Sequence, residues 1–330
     1  MSKVRKLQLP LDIQIDLFEK LVLPVALYGS EIWGFEDISH VEIFYRKFLK
    51  NILKVNMFTS NCMVYGETGT MELEHFVNQR MVAYWYRVIS GNRNKLAFII
   101  YRLIRHMHAD PDNPFESNWI NHVEHILNST GLGNIWINEG DNFSGNYIKS
   151  ALKLRLSDNF KQKWLAQLSE NSQCTVYRMF KAELAFSDYL SCLDFRDRVC
   201  LSKFRCRNHS LPITRNRFHN NSVEARKEMI CKCFNSEEVG DEFHYLFKCH
   251  FFKEDRKLLL GFEYKRNVNM FSISNLLNCK KVSKLKKLVK FVNLVMHHFI
   301  VTQDSSIIVT DVSVTTRSGR TVIRPNRLDM

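Results

Sequence analysis

Four side chains with an affinity for soft divalent metals fall within one short stretch: Cys231, Cys233, His244 and Cys249. Three thiols and an imidazole are a sufficient tetrahedral set for zinc, and structural zinc sites are commonly built from such Cys-rich, water-excluding sets. The polar, Gly-containing segment 235–240 is long enough to fold back and bring Cys231 and Cys233 towards the other two. Asp241 is placed to cap a helix with His244 near its start and Cys249 near its end. The expected cofactor is therefore one structural Zn²⁺ in a Cys-Cys-His-Cys knuckle. The C-x-C spacing is tighter than the C-x2-C of most knuckles, and His250 adjoins Cys249 as a competing fourth ligand. The alternative is a metal-free turn whose buried cysteines act as small hydrophobes.

A second kind of chemistry sits just upstream. Arg196, Arg198, Lys203, Arg205 and Arg207 stand against Asp197 alone, and Arg215 and Arg217 follow the Leu211-Pro212 break. Arginine forks match phosphate oxygens and carry the salt-dependent part of nucleic-acid binding. These seven residues are the expected contacts to RNA or DNA. Hydrolytic metal chemistry fits less well. Asn121-His-Val-Glu-His125 lacks the order H-E-x-x-H, in which the glutamate follows the first histidine.

The bulk composition supports a polyanionic partner. Across 330 residues the formal charge is +13, which favours nucleic acid over a membrane surface, with a merely solvated basic surface as the bland alternative. Hydrophobic residues make up 45%, enough for one large or two to three modest cores. Only 12 Gly and 6 Pro leave few turn signals, so long helices are expected. The nine cysteines form no regular disulfide framework, and neither a signal core nor a membrane-length apolar run is visible. The expectation is an intracellular protein, nuclear or cytoplasmic, neither secreted nor membrane-bound, without a small-molecule substrate pattern. Oligomeric state is not readable.

The elements that must position these groups read as helices. Leu11–Gly34 suggests a helical pair broken at Pro24. Val41 to Ile52, Leu73 to Val88 and Lys95–His108 each show an apolar stripe at helical spacing. The aromatic stripe Phe76, Tyr84 and Trp85 reads as core rather than as a base-stacking platform. Asp110-Pro-Asp-Asn-Pro114 is the clearest breaker and the expected first domain boundary. Beyond it Phe115–Leu127, Ile148–Leu168 and Thr175–Phe186 read as helices, and Gly131–Asn142 as a loop. Phe251–Phe262 follows the metal-binding stretch as a helix. Leu285, Leu288, Val292, Val295 and Phe299 form an apolar seam amid lysines, too short for a free coiled coil. The Ser/Thr/Val-rich 304–330 reads as a disordered basic tail.

Two stretches, read together, carry a resemblance. Leu23-Pro-Val-Ala-Leu-Tyr-Gly-Ser-Glu-Ile-Trp-Gly34, Thr59-Ser-Asn-Cys-Met-Val-Tyr-Gly-Glu-Thr-Gly69 and Arg80-Met-Val-Ala-Tyr-Trp85 resemble the region after the palm in LINE-type (non-LTR) retrotransposon reverse transcriptases. Arg205-Cys-Arg-Asn-His-Ser-Leu-Pro212 and the Cys/His stretch with Gly240-Asp-Glu-Phe-His244 are similar to the C-terminal zinc-binding segment of the same proteins. With the helical pattern, the expected organisation is a mainly α chain: a helical bundle over 1–110, which the resemblance makes thumb-like, and a helical linker over 115–205. A basic zinc-knuckle-like segment at 206–262 and an amphipathic helix at 263–303 follow. The resemblance implies Cys231, His244 and Cys249 as ligands, and the family places its second cysteine at the position of Phe234 rather than Cys233. Polymerase chemistry needs carboxylates around two Mg²⁺ ions, and no Asp-Asp dipeptide occurs here. The expected function is thus non-catalytic nucleic-acid binding by a reverse-transcriptase C-terminal region. The alternative is a decayed or domesticated structural or protein-interaction fragment that binds no nucleic acid.

Overall fold

The computed structural model describes residues 9–109, 117–215, 229–231, 233, 238–261 and 268–307. The described residues are mainly helical, and their β-pairing is limited to two isolated bridges, Thr68 with Phe186 and Ile230 with Val239. The helices of seven residues or more are α1 (Leu11–Leu17), α2 (Ser39–Leu53), α3 (Asn61–Thr68), α4 (Leu73–Ile89), α5 (Leu96–Ala109), α6 (Asn118–Ser129), α7 (Gly145–Glu170), α8 (Phe195–Arg205), α9 (Lys253–Leu260), α10 (Met270–Leu277) and α11 (Val282–Ile307). Packing divides the chain into two compact units. The first comprises Met1–Asn208 with Lys265–Lys286, and the second His209–Tyr264 with Lys287–Met330.

The first unit is arranged about α3, in which every residue from Cys62 to Thr68 is buried. Trp164 on α7 donates its indole N–H to the Cys62 carbonyl at 2.8 Å, and Tyr177 donates to the Met63 carbonyl at 3.2 Å. Gly66 permits this approach, because a Cβ there would stand 2.4 Å from the Tyr177 hydroxyl and 3.0 Å from Trp164. Gly69 ends the helix at φ +67, a left-handed conformation that glycine adopts without strain. Around this axis α4 buries Leu73, Val77, Met81 and Trp85 at fourfold spacing; of its aromatic stripe Trp85 is core, while Phe76 and Tyr84 are half-buried. α6 buries Ile120, Val123 and Ile126, and α7 buries Ile148, Leu152, Phe160, Trp164 and Leu168. Ser117, Ser144 and Asp194 cap α6, α7 and α8 through their side chains.

Several boundaries differ from those expected. The breaker at 110–114 lies outside the described residues, but the segments before and after it share one core. Tyr84 packs edge-on to Trp119 at 6.2 Å, and Trp119 donates to the Glu31 carbonyl at 2.9 Å. The division falls instead at Asn208–His209. Thr175–Phe186 is not one helix. A single turn, Tyr177–Phe180, is followed by an open segment curled around Lys181, whose ammonium donates to the Ala185 carbonyl and the Ser187 hydroxyl. Gly131–Asn142 contains a helical turn, Gly133–Ile137. Pro24 does not simply break the first helix. With no N–H to offer residue 20, the chain opens into a π-helical turn, Phe18–Val22, before Leu23–Ala26. At the other end α11 runs to Ile307, beyond the expected limit of 303. The remainder of the expected tail, from 308, lies outside the described residues.

The second unit has its own core. Tyr245, Leu246 and Phe247 are buried with Phe252, Phe291, Val292, Val295 and Phe299. Tyr245 meets Phe299 edge-on at 4.9 Å, and Phe252 meets Phe291 at 6.3 Å. The apolar seam of α11 is therefore packed, not free.

Candidate metal centre

Two local devices of the second unit gather the metal-binding side chains. The first is a narrow antiparallel pairing. Gly240 N–H donates to the Met229 carbonyl at 2.8 Å and Cys231 N–H to the Glu238 carbonyl at 2.9 Å, flanking the Ile230–Val239 bridge. This pairing places Cys231 beside Glu238. The second is the π-helical turn His244–Lys248, started by Asp241, whose carboxylate accepts the His244 N–H at 2.7 Å. In an α-helix residues five apart point about 140° away from each other. The π turn closes on the Cys249 N–H to His244 carbonyl bond at 2.8 Å, and His244 and Cys249 come round to the same side.

The result is a buried group of Cys231, His244 and Cys249, with one ligand atom from each lying within 4.8 Å of the others. The two thiols are 3.8 Å apart. His244 is oriented from behind: Nδ1 lies 2.8 Å from a Glu238 carboxylate oxygen, while the buried Nε2 is left to the thiols of the group. A carboxylate on the far nitrogen fixes the ring tautomer and makes the other nitrogen a better ligand, the arrangement common to metal-bound histidines. Arg256, also buried, donates to the carbonyls of Tyr245 and Cys249 at 3.0 Å each and holds the end of the turn. This group can hold a metal ion.

The electrostatics of the group demand positive charge. Hydrogen bonding from Cys233, then from Cys249, pushes the Cys231 thiol far below its ordinary range. Burial disfavours a charged His244 ring, but hydrogen bonding to Cys231, Cys249 and Glu238 outweighs it and raises its pKa to about 10. A divalent cation among two thiolates and a neutral imidazole answers the same demand with direct bonds.

The structure brings three of the four expected ligands into this group. Cys233 stands beside it, half-buried, interacting with Cys231 and Cys249 and lying 3.9 Å from His298 Nε2 on α11. His250 is exposed and outside the group. Sequence spacing missed Glu238 and His298. The first has a sequence signal only in retrospect, as a carboxylate six residues before a ligand histidine. The second comes from 65 residues beyond Cys233 and has none.

The expected phosphate-binding residues fare differently. Arg196 is exposed, and Lys203 is partly so. Arg205 is enclosed in the first unit, its guanidinium forked onto Glu67 through two 3.0 Å bonds with side-chain exposures of 1% and 0%. It also donates to the Leu277 carbonyl at 2.8 Å and lies over the rings of Phe180 and Tyr189. It faces protein rather than phosphate, because a neighbouring carboxylate on α3 claims its charge. Arg207 donates to the carbonyls of Ser172 and Gln173, and Arg198 to that of Leu190. Arg215 ends a short turn, Pro212–Arg215, with its side chain outside the described set, and Arg217 lies outside the described residues altogether. His122, from the near-hydrolytic pattern at 121–125, contacts Asn78 at 3.2 Å.

Among the described residues no helix is long and apolar enough to cross a membrane. Compared with protein-family models, curated proteins and solved structures, the chain matches none.

Proposed function

We propose that the chain is a non-catalytic nucleic-acid-binding module, pinned by a structural zinc ion and related to the C-terminal region of LINE-type reverse transcriptases. The 3.8 Å separation of the Cys231 and Cys249 thiols supports zinc as the metal. A tetrahedral ion with Zn–S bonds of about 2.3 Å requires an S···S edge of about 3.8 Å. Cys233 is the nearest further thiol and completes a Cys₃His set by a small movement of its side chain.

The observation that carries nucleic-acid binding is the charge of α11 and its approach. From Tyr264 to Gln303 there is no Asp or Glu, and Lys281, Lys284, Lys286, Lys287 and Lys290 are all exposed. Such a surface favours a polyphosphate through counterion release. Fluorescence anisotropy with labelled single-stranded RNA and duplex DNA over a series of salt concentrations tests the reading. Engaging three or four phosphates predicts a log–log salt slope of about −2 to −4. Absence of binding at low salt would overturn it.

One observation favours a second reading, a structural fragment without a nucleic-acid partner. Arg198, Arg205 and Arg207 all donate to the protein's own carbonyls. Zinc-dependent folding without salt-sensitive binding would select that reading.

A further inference from the structure

Far from the metal centre in sequence, the first unit holds a pair of thiols that the proposed function does not use. Cys62 and Cys174 are 112 residues apart in the chain, yet their sulfurs are 3.3 Å from each other. Both are free thiols. Cys62 is the second residue of α3, where unpaired helix N–H groups and the helix dipole favour a thiolate. The Ser60 hydroxyl lies 3.0 Å from its sulfur, and Asn171 donates to that hydroxyl at 3.1 Å. Cys62 also lines a cleft of about 440 Å³, together with Arg46, Ser60, Glu72 and Asn171. Cys174 is fully buried behind it, at the end of the 3₁₀ turn Ser172–Cys174.

We propose that Cys62 and Cys174 form a peroxide-sensing dithiol, with Cys62 taking the oxidant from the cleft and Cys174 closing the disulfide. The Cys62 thiolate attacks one oxygen of hydrogen peroxide. The O–O bond breaks, hydroxide leaves and becomes water with the proton that Cys62 released on ionising, and Cys62 becomes a sulfenic acid. The Cys174 thiol then attacks the Cys62 sulfur, an S–S bond forms, and the sulfenic oxygen departs as water with the Cys174 proton. In sum, two thiols lose two electrons and two protons, and one peroxide becomes two waters.

The surroundings assign the order of events. Hydrogen bonding from Cys174, and then from Ser60, lowers the Cys62 pKa, while the same contact raises that of Cys174. Cys62, at the start of α3 and on the cleft wall, is the attacking sulfur, and Cys174, fully buried, is the resolving one. A thiol only 4% exposed excludes bulky oxidants but stands at the wall of a cleft that admits peroxide. Closure ties α3 to the turn that follows α7, and a dithiol reductant reverses it.

The test is non-reducing peptide mapping of the full chain, supplied with zinc and treated with limiting hydrogen peroxide before alkylation. The expected result is a linked Cys62–Cys174 peptide, formed before the exposed Cys192 is oxidised. In Cys174→Ser, dimedone should label Cys62 at least tenfold faster than Cys192. Ser60→Ala, which leaves both thiols in place, should slow formation of the linked peptide several-fold. If the wild-type linked peptide is missing at peroxide levels that oxidise Cys192, the proposal fails. Equal rates for linkage in wild type and oxidation at Cys192 would also overturn it.

Discussion

Replacing Arg205 with alanine separates two roles that the sequence leaves open. The structure places its guanidinium wholly inside the first unit, forked onto Glu67 by bonds of 3.0 Å from Nε and Nη2, with a further 2.8 Å bond to the Leu277 carbonyl. Removing one partner of a buried ion pair strands the other charge and costs about 3–5 kcal/mol. For a unit of this size each kcal/mol shifts the melting temperature by about 2–4 °C, so Arg205→Ala should melt roughly 10 °C below wild type. Urea denaturation followed by circular dichroism measures the loss directly. The pair also has a pH signature. Burial works to raise the Glu67 pKa, but the charge of Arg205 and its hydrogen bonds outweigh burial and hold it below the ordinary 4.5. A depressed carboxyl pKa stabilises the fold above the unfolded-state value, and that stability is lost as pH falls through the folded-state value. Stability should therefore decline below about pH 4.5 with a limb that Glu67→Gln flattens. The double variant Glu67→Gln/Arg205→Met should recover part of the single-variant loss, since no buried charge remains. If Arg205→Ala changes stability by less than about 0.5 kcal/mol while reducing the nucleic-acid salt slope by about one, the residue faces phosphate and the buried ion pair with Glu67 is wrong.

Other perturbations follow from the same geometry. Glu238→Gln should leave the fold intact and weaken metal binding by about 10–100-fold, as measured by competition with a chromophoric chelator, because the carboxylate that orients His244 is lost. Gly66→Ala should destabilise by about 1–3 kcal/mol in urea, since the new methyl meets the Tyr177 hydroxyl and the Trp164 ring inside a packed core. Charge reversal of Lys281, Lys286, Lys287 and Lys290 should abolish nucleic-acid binding at about 100 mM salt or above, without lowering the melting temperature by more than a few degrees, because all four are exposed. An unchanged anisotropy titration would remove α11 from the interface.

Much of the helical architecture was legible from apolar spacing. The apolar positions Leu73, Val77, Met81 and Trp85 and the seam from Leu285 to Phe299 proved to be buried, whereas Leu96, Ile99, Ile100 and Leu103 of the α5 stripe are exposed. The metal cluster was legible as residue types, and Asp241 as the cap that starts its turn. What spacing could not convey is the π turn. An α-helical reading leaves His244 and Cys249 on different sides, and only the i→i+5 closure brings them together. Nor could one-dimensional charge show that Arg205 is spoken for, since Glu67 lies 138 residues away. The same holds for Cys62 and Cys174, whose adjacency depends on α7 crossing α3. Long-range partners decide whether a charged or nucleophilic side chain is structural or available, and sequence patterns carry only the local half of that information.

The metal content of the purified full chain is the most direct test of a zinc-pinned module, measured by elemental analysis alongside a melting curve with and without chelator. The Cys231–His244–Cys249 group predicts about one zinc per chain, lost in Cys249→Ser. Removing the ion should clearly lower the melting temperature, because a structural metal contributes folding energy. A well-folded chain containing no metal, with a melting temperature indifferent to chelator, would contradict the zinc-pinned fold.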